Sequence, residues 1–204
     1  SLCSVVAVSL IDPLGQVGAI LCAILVGGLL GYINGTILTT CGAMIQAEVL
    51  FITYGMSSIY MALGLIFTNA ETLRIARATK PIIVFIVILL AMYFFHTKTL
   101  AGRSISLMGG NKDAAFLAGY NVKRTMRMVY AISGLMSGMA AISLVARTTT
   151  ATATCGTGFE TEAILCVVVG GTSLKGGKGN VIRTMLGVVL ITLLGNCMNM
   201  LGLS

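Results

Sequence analysis

The chain has 204 residues, 57% hydrophobic and 9% charged, where a soluble domain typically carries about 25% charged residues. No globular core absorbs that much apolar side chain and leaves a wettable surface, so a soluble enzyme is excluded and the solvent is lipid. The net charge of +7 comes from basic residues scattered between apolar runs, with no tryptophan and no basic stripe with interleaved aromatics, so nucleic acid is not the partner and the positive-inside bias of cytoplasmic loops accounts for the charge.

The first run, Ser1 to Ile11, is apolar but short, and it lacks both a Met and a basic lead-in. It predicts a truncated span, in a fragment whose first helices lie upstream, rather than a signal peptide. A spanning helix needs about 20 apolar residues. That rule predicts spans over Val17 to Leu38, Val49 to Phe67, Pro81 to Phe95 (short by this count), Met126 to Val145 and Val181 to Leu201. Thr161 to Gly171 is apolar yet shorter still, as expected of a re-entrant or broken helix.

Small residues at Gly15, Ala19, Ala23, Gly27, Gly31 and Gly35 recur every fourth position. They share one helix face and let a neighbouring backbone come close. Gly134 and Gly138, beside Ser133, Ser137 and Ala141, form a shorter version in a later span. The six cysteines (Cys3, Cys22, Cys41, Cys155, Cys166 and Cys197) are far apart and include no CxxC, so they read as small buried hydrophobes rather than metal ligands or disulfides.

Two connecting segments stand out. Residues 96–124 form the longest polar stretch, and residues 170–180 form a glycine-rich turn. With both on the cytoplasmic side, nine basic residues (Lys98, Arg103, Lys112, Lys123, Arg124, Arg127, Lys175, Lys178 and Arg183) lie inside, against Arg74, Arg77, Lys80 and Arg147 outside. The turn "GGTSLKGGKGN" superficially suggests a phosphate loop. It lacks the GxxxxGK[ST] order that brings amides, lysine and hydroxyl together on phosphates, so it reads as a flexible turn between membrane segments. In "GGNKDAAFLAG", Asn111 can cap a helix, Asp113 suits its first turn and Gly119 can end it. That predicts about two turns of helix within the polar segment. Such a helix either lies at the interface or docks a cytosolic partner.

Polar groups inside a membrane are costly and are candidates for function. Glu48 opens a span, where a carboxylate favours the helix N-terminus, and Thr53, Ser57 and Ser58 can bond their own helix carbonyls. Asn196 and Asn199 need partners in lipid, whereas Glu160 and Glu162 open the short helix as first-turn carboxylates. His96, the single histidine, has no Ser/Asp or metal-ligand set around it in sequence.

"GGNKDAAFLAGYNV" (Gly109 to Val122), then a span, then "GTGFETEAILCVVVGGTSLKGGKGN" (Gly156 to Asn180), resembles the permease subunits of bacterial ribose-type ABC importers. The tail "GNCMNMLGLS" and the upstream "GYINGTIL" and "FITYGMSSIY" are similar to the same family's segments, so the resemblance covers nearly the whole chain. Phe116 stands where the family often has arginine, the family's proline pair is absent near Gln46 and Ala47, and Asn69 to Lys80 is short for its outer loop.

The resemblance implies an all-α polytopic bundle, partial at its N-terminus, forming one permease domain over residues 1–204 in the bacterial inner membrane. It implies a coupling helix at about residues 109–119, with Gly109, Gly110, Asn111, Asp113, Ala114, Ala115 and Gly119 meeting a cytosolic ATPase subunit. Closure of that ATPase would push on this helix and rock the spans. Further implied partners are a periplasmic or lipid-anchored sugar-binding protein, a second permease copy or paralogue, and lipid. No cofactor or metal is implied, and hydrolysis belongs to the ATPase, so the chain itself is not an enzyme. Asn34, Thr53, Glu160, Asn196 and Asn199 are the candidate pathway residues. The expected cargo is a ribose-like monosaccharide. The alternatives are a branched-chain amino-acid or nucleoside permease, or an ion-coupled secondary transporter using Glu48 and the short Thr161 helix.

Overall fold

The computed structural model describes residues 2–42, 46–68, 73–74, 81–148, 150–152, 154, 156–174 and 176–202. The expectations for Ser1, Arg77, Lys80, Cys155 and Lys175 lie outside the described residues. The chain divides into two compact units, Ser1–Val87 with Lys123–Thr157, and Ile88–Val122 with Gly158–Ser204.

The first unit holds α1 (Leu2–Ser9), α2 (Ile11–Cys41), α3 (Gln46–Thr68) and nearly all of α7 (Val122–Thr148). α2 starts well before the expected Val17, because Pro13 falls in its first turn, where a missing N–H costs nothing. It stops where Gly42 takes φ +67 and its N–H donates to the Leu38 carbonyl. Glu48 lies in the first turn of α3, as its sequence position predicts. Most of the α1 surface is covered: Cys3, Ser4, Val5, Ala7 and Val8 are buried.

The two small-residue stripes meet each other. A methyl group on Gly27 would lie 2.6 Å from the Gly134 carbonyl oxygen, and one on Gly35 would lie 2.9 Å from Cα of Arg127. Gly31 faces Tyr130 and Gly134, while Gly138 faces Ala23. Rising numbers on α2 therefore oppose falling numbers on α7, so the helices cross antiparallel, backbone on backbone. Ala19 and Ala23 are fully covered on the same face.

Two short strands, β1 (Leu73–Arg74) and β2 (Thr150–Ala151), pair antiparallel, with Leu73 opposite Ala151 and Arg74 opposite Thr150. Ala151 packs with Val8 and Val145 in a small core. The pairing puts the segments that leave α3 and α7 at the same end of this unit. A two-residue ladder carries no periodicity and is not legible in sequence. The fold remains all-α.

The second unit contains the end of α4 (Pro81–Lys98) and all of α5 (Leu100–Gly110), α6 (Lys112–Leu117), α8 (Phe159–Val169) and α9 (Val181–Met200). The expected polar loop over residues 96–124 is largely helical. Thr99 caps α5 by accepting from the Gly102 N–H at 3.1 Å, and Gly102 has no room for a side chain against the carbonyls of Phe95 and His96. α8 spans about 16 Å at 1.5 Å per residue, well short of a bilayer core, as its apolar length predicts. It folds back on α9 through glycines: a methyl group on Gly170 would lie 2.6 Å from the Arg183 carbonyl, and one on Gly187 would lie 2.8 Å from the Gly170 nitrogen.

Among the described residues, four helical stretches are long and apolar enough to cross a membrane: Gly18–Cys41, Glu48–Phe67, Val122–Thr148 and Val181–Met200. Ile86–Lys98 is apolar but shorter. Their outer faces carry large bare side chains, with Phe51 79% and Phe67 76% exposed. Each such ring left in water forgoes about 1.5–3 kcal/mol of burial, so these faces call for an apolar surround. Cys41 and Cys197 lie on such surfaces, which corrects the expectation that every cysteine is covered by protein; Cys3 and Cys166 are buried and Cys22 is half-buried.

Candidate functional site

Asn111 organises the polar segment. Its extended backbone (φ −154, ψ 115) breaks the helix between α5 and α6. Its own N–H donates to Leu107 O at 3.1 Å, ending α5. Its Oδ1 accepts from the N–H groups of Asp113 (3.0 Å) and Ala114 (3.1 Å), starting α6. Gly109 and Gly110 close α5, and Lys112–Leu117 forms α6, within the residues 109–119 expected to hold the short helix.

The far end of α6 is closed just as fully. The Tyr120 N–H donates to Ala115 O and the Gly119 N–H to Phe116 O, both at 3.0 Å, with Gly119 at φ +83. This is the 6→1 closure that a left-handed glycine permits. Within α6, Ala115 is 3% exposed and faces the protein, whereas Phe116 and Leu117 are 70% and 86% exposed. Sequence reasoning picked Ala115 and passed over Phe116 and Leu117. Their bare apolar character in a polar segment was the available signal.

The glycine-rich turn touches this joint. A methyl group on Gly176 would run into the Gly109 carbonyl oxygen, and one on Gly177 would lie 3.3 Å from Cα of Gly110. The turn is more constrained than the flexible connection expected. Thr172 N donates to Val167 O (3.1 Å), Ser173 N to Lys178 O (2.9 Å) and Gly176 N to Ser173 O (3.1 Å). Asn180 then caps α9 by accepting from the Ile182 N–H at 3.0 Å. The His96 side chain reaches Ser106, Nε2 to Oγ at 3.4 Å. Among the described residues, no three His, Cys, Asp or Glu side chains converge as metal ligands.

The candidate pathway residues divide between the units. In the first, Asn34 on α2 has a buried Oδ1 with no hydrogen-bond partner among the described residues. Thr53 on α3 donates to its own helix, at 2.8 Å to Val49 O and 3.0 Å to Leu50 O. In the second, Glu160 is an exposed first-turn residue of α8, and Asn196 and Asn199 are exposed three residues apart on α9. An exposed carboxamide in a span needs a partner beyond this unit or water in a cavity.

Long apolar helices crossing on glycine seams, with a capped helix between spans, define a multi-pass α-helical membrane protein. The chain belongs to the family described as branched-chain amino acid transport system / permease component, which matches residues 1–204. It is 32% identical over 204 residues to the D-allose transport system permease protein of Escherichia coli (strain K12), covering 94% of this chain and 61% of that protein. It is 45% identical over 119 residues to the ribose import permease protein of the same strain, covering 58% of this chain and 37% of that protein. With the fructose import permease protein of Rhizobium meliloti it shares 28% identity over 194 residues, 85% of this chain and 53% of that protein. The chain thus spans between about a third and three-fifths of the length of these relatives. No solved structure matches it.

Proposed function

We propose that this chain is the transmembrane subunit of an ATP-driven, binding-protein-dependent importer that moves a ribose-like simple sugar across the bacterial cytoplasmic membrane. The observation that carries the proposal is α6, a short helix capped at both ends that holds Phe116 and Leu117 bare in a segment between spans. Bare apolar side chains on a preformed helix fit a socket on another protein. The partner is a cytosolic ATPase subunit, which supplies the phosphate chemistry that the Gly170–Asn180 turn cannot. Basic residues concentrate around α6 and that turn, as a cytoplasmic position requires. A sugar-binding protein delivers cargo to the opposite face, and a second copy or paralogue completes the translocation pathway.

The family description names branched-chain amino acids, but the relatives just described are named for allose, ribose and fructose, which favours sugar. The test is reconstitution in vesicles with the ATPase and binding protein. Sugar-loaded binding protein should speed ATP hydrolysis and drive uptake. Stimulation by leucine or isoleucine, and by no sugar, would transfer the chain to the amino-acid branch.

A further inference from the structure

The glycine turn and the α5–α6 joint meet backbone against backbone at Gly109, Gly110, Gly176 and Gly177. Gly176 meets the Gly109 carbonyl, Gly177 meets Gly110, and the Gly177 nitrogen lies 3.7 Å from where a Gly109 methyl group would sit. On one side, the joint is fixed to α6 by the two bonds to Asn111 Oδ1. On the other, the turn is fixed to both helices it connects. Thr172 N is tied to Val167 O of α8, the Thr172 hydroxyl is 3.4 Å from that of Thr184 in α9, and a methyl group on Gly179 would lie 3.2 Å from Thr172 Cγ2. Gly170 and Gly187 then clamp α8 on α9.

We infer that Gly109, Gly176 and Gly177 are positioning residues for coupling, locking the Gly170–Asn180 hairpin to the α5–α6 joint so that a push on α6 is handed directly to α8 and α9. The inference rests on the importer reading above and adds a route within it. Coupling travels through rigid elements in direct contact. Here the rigid elements are two capped turns and a glycine clamp, and α8 and α9 carry Glu160, Asn196 and Asn199.

The test compares ATP hydrolysed per sugar taken up in reconstituted vesicles. Gly176→Ala pushes a methyl group into the Gly109 carbonyl. It should still co-purify with the ATPase and support hydrolysis, but the ratio should rise at least about fivefold, the low end for coupling between distinct sites. Gly171→Ala brings a similar backbone penalty at φ +82, with open space around the new methyl group. It should lower the yield of folded protein without moving the ratio. Gly55→Ala, in open space on α3, should behave as the parent.

Hydrolysis and uptake falling in parallel in Gly176→Ala, or Gly171→Ala moving the ratio equally, would overturn the inference while leaving the importer reading standing. Should Gly176→Ala fail to reach the membrane, Gly109→Leu wedges the same contact from the other side. If neither reaches it, the contact serves folding and the inference falls. A parent protein that answers to no sugar overturns the importer reading and the inference together.

Discussion

Gly27→Ala puts one methyl group into the close antiparallel crossing of α2 and α7. The new carbon would lie 2.6 Å from the Gly134 carbonyl oxygen and 3.2 Å from Cα of Gly138, so α7 must retreat by about 0.8 Å to restore ordinary contact at 3.4 Å. A retreat of that size forfeits roughly a quarter to a half of the dispersion energy of each atom pair along the seam. Overpacking of this kind costs about 1–3 kcal/mol, against a helix-propensity gain of about 1 kcal/mol for replacing glycine by alanine. The backbone-on-backbone clash leaves a net loss of up to about 2 kcal/mol, which for a chain of this length lowers Tm by up to about 8 °C. Thermal unfolding in detergent, followed by loss of the monodisperse peak, measures it. Gly55→Ala, with nothing within 4 Å, keeps the propensity gain without the clash and should not lose stability. Equal Tm values for Gly27→Ala and Gly55→Ala would refute the close antiparallel crossing.

Asn111→Ala removes the acceptor for two α6 amides and should cost about 1 kcal/mol of local helix stability. Stimulated ATP hydrolysis should fall, with Asn111→Asp restoring most of it. Leu117→Glu adds a charge to the barest side chain of α6 and should abolish ATPase co-purification while leaving Tm unchanged; retention of the ATPase would move the docking surface elsewhere. Asn34→Leu removes a buried oxygen with no partner among the described residues, whose desolvation costs about 1–3 kcal/mol. It should raise Tm by several degrees while sugar uptake falls, and a lowered Tm would mean that the amide is satisfied in the folded protein.

The membrane spans were legible because a bilayer imposes a length, and runs such as Val49 to Phe67 meet it. The stripes on α2 and α7 were legible one at a time, as small residues every fourth position; that they face each other is a tertiary fact with no trace in either periodicity. α5 was missed because "LAGRSISLMGG" mixes glycine and serine into a weak pattern, and the helix depends on the Thr99 cap and the close approach of Gly102 to α4. At the candidate site, Asn111 and Gly119 announced both ends of α6 through their cap chemistry. The contact of Gly176 with Gly109 was invisible, because a glycine chosen for close approach leaves the same mark as one chosen for a turn. The buried side of α6 at Ala115 could not be told from its bare side because six residues are too few to set a phase.

The closure of α6 at both ends also bears on how fast and how selectively a partner can engage it. An isolated helix of six residues is unstable in water, and ordering one on contact would cost about 1–2 kcal/mol per residue. Here the Asn111 side chain, the Gly119 reversal and the buried methyl group of Ala115 have already fixed the shape. On the importer reading, docking would carry little entropic cost, and a modest apolar contact through Phe116 and Leu117 would be enough for an association that can be released and remade.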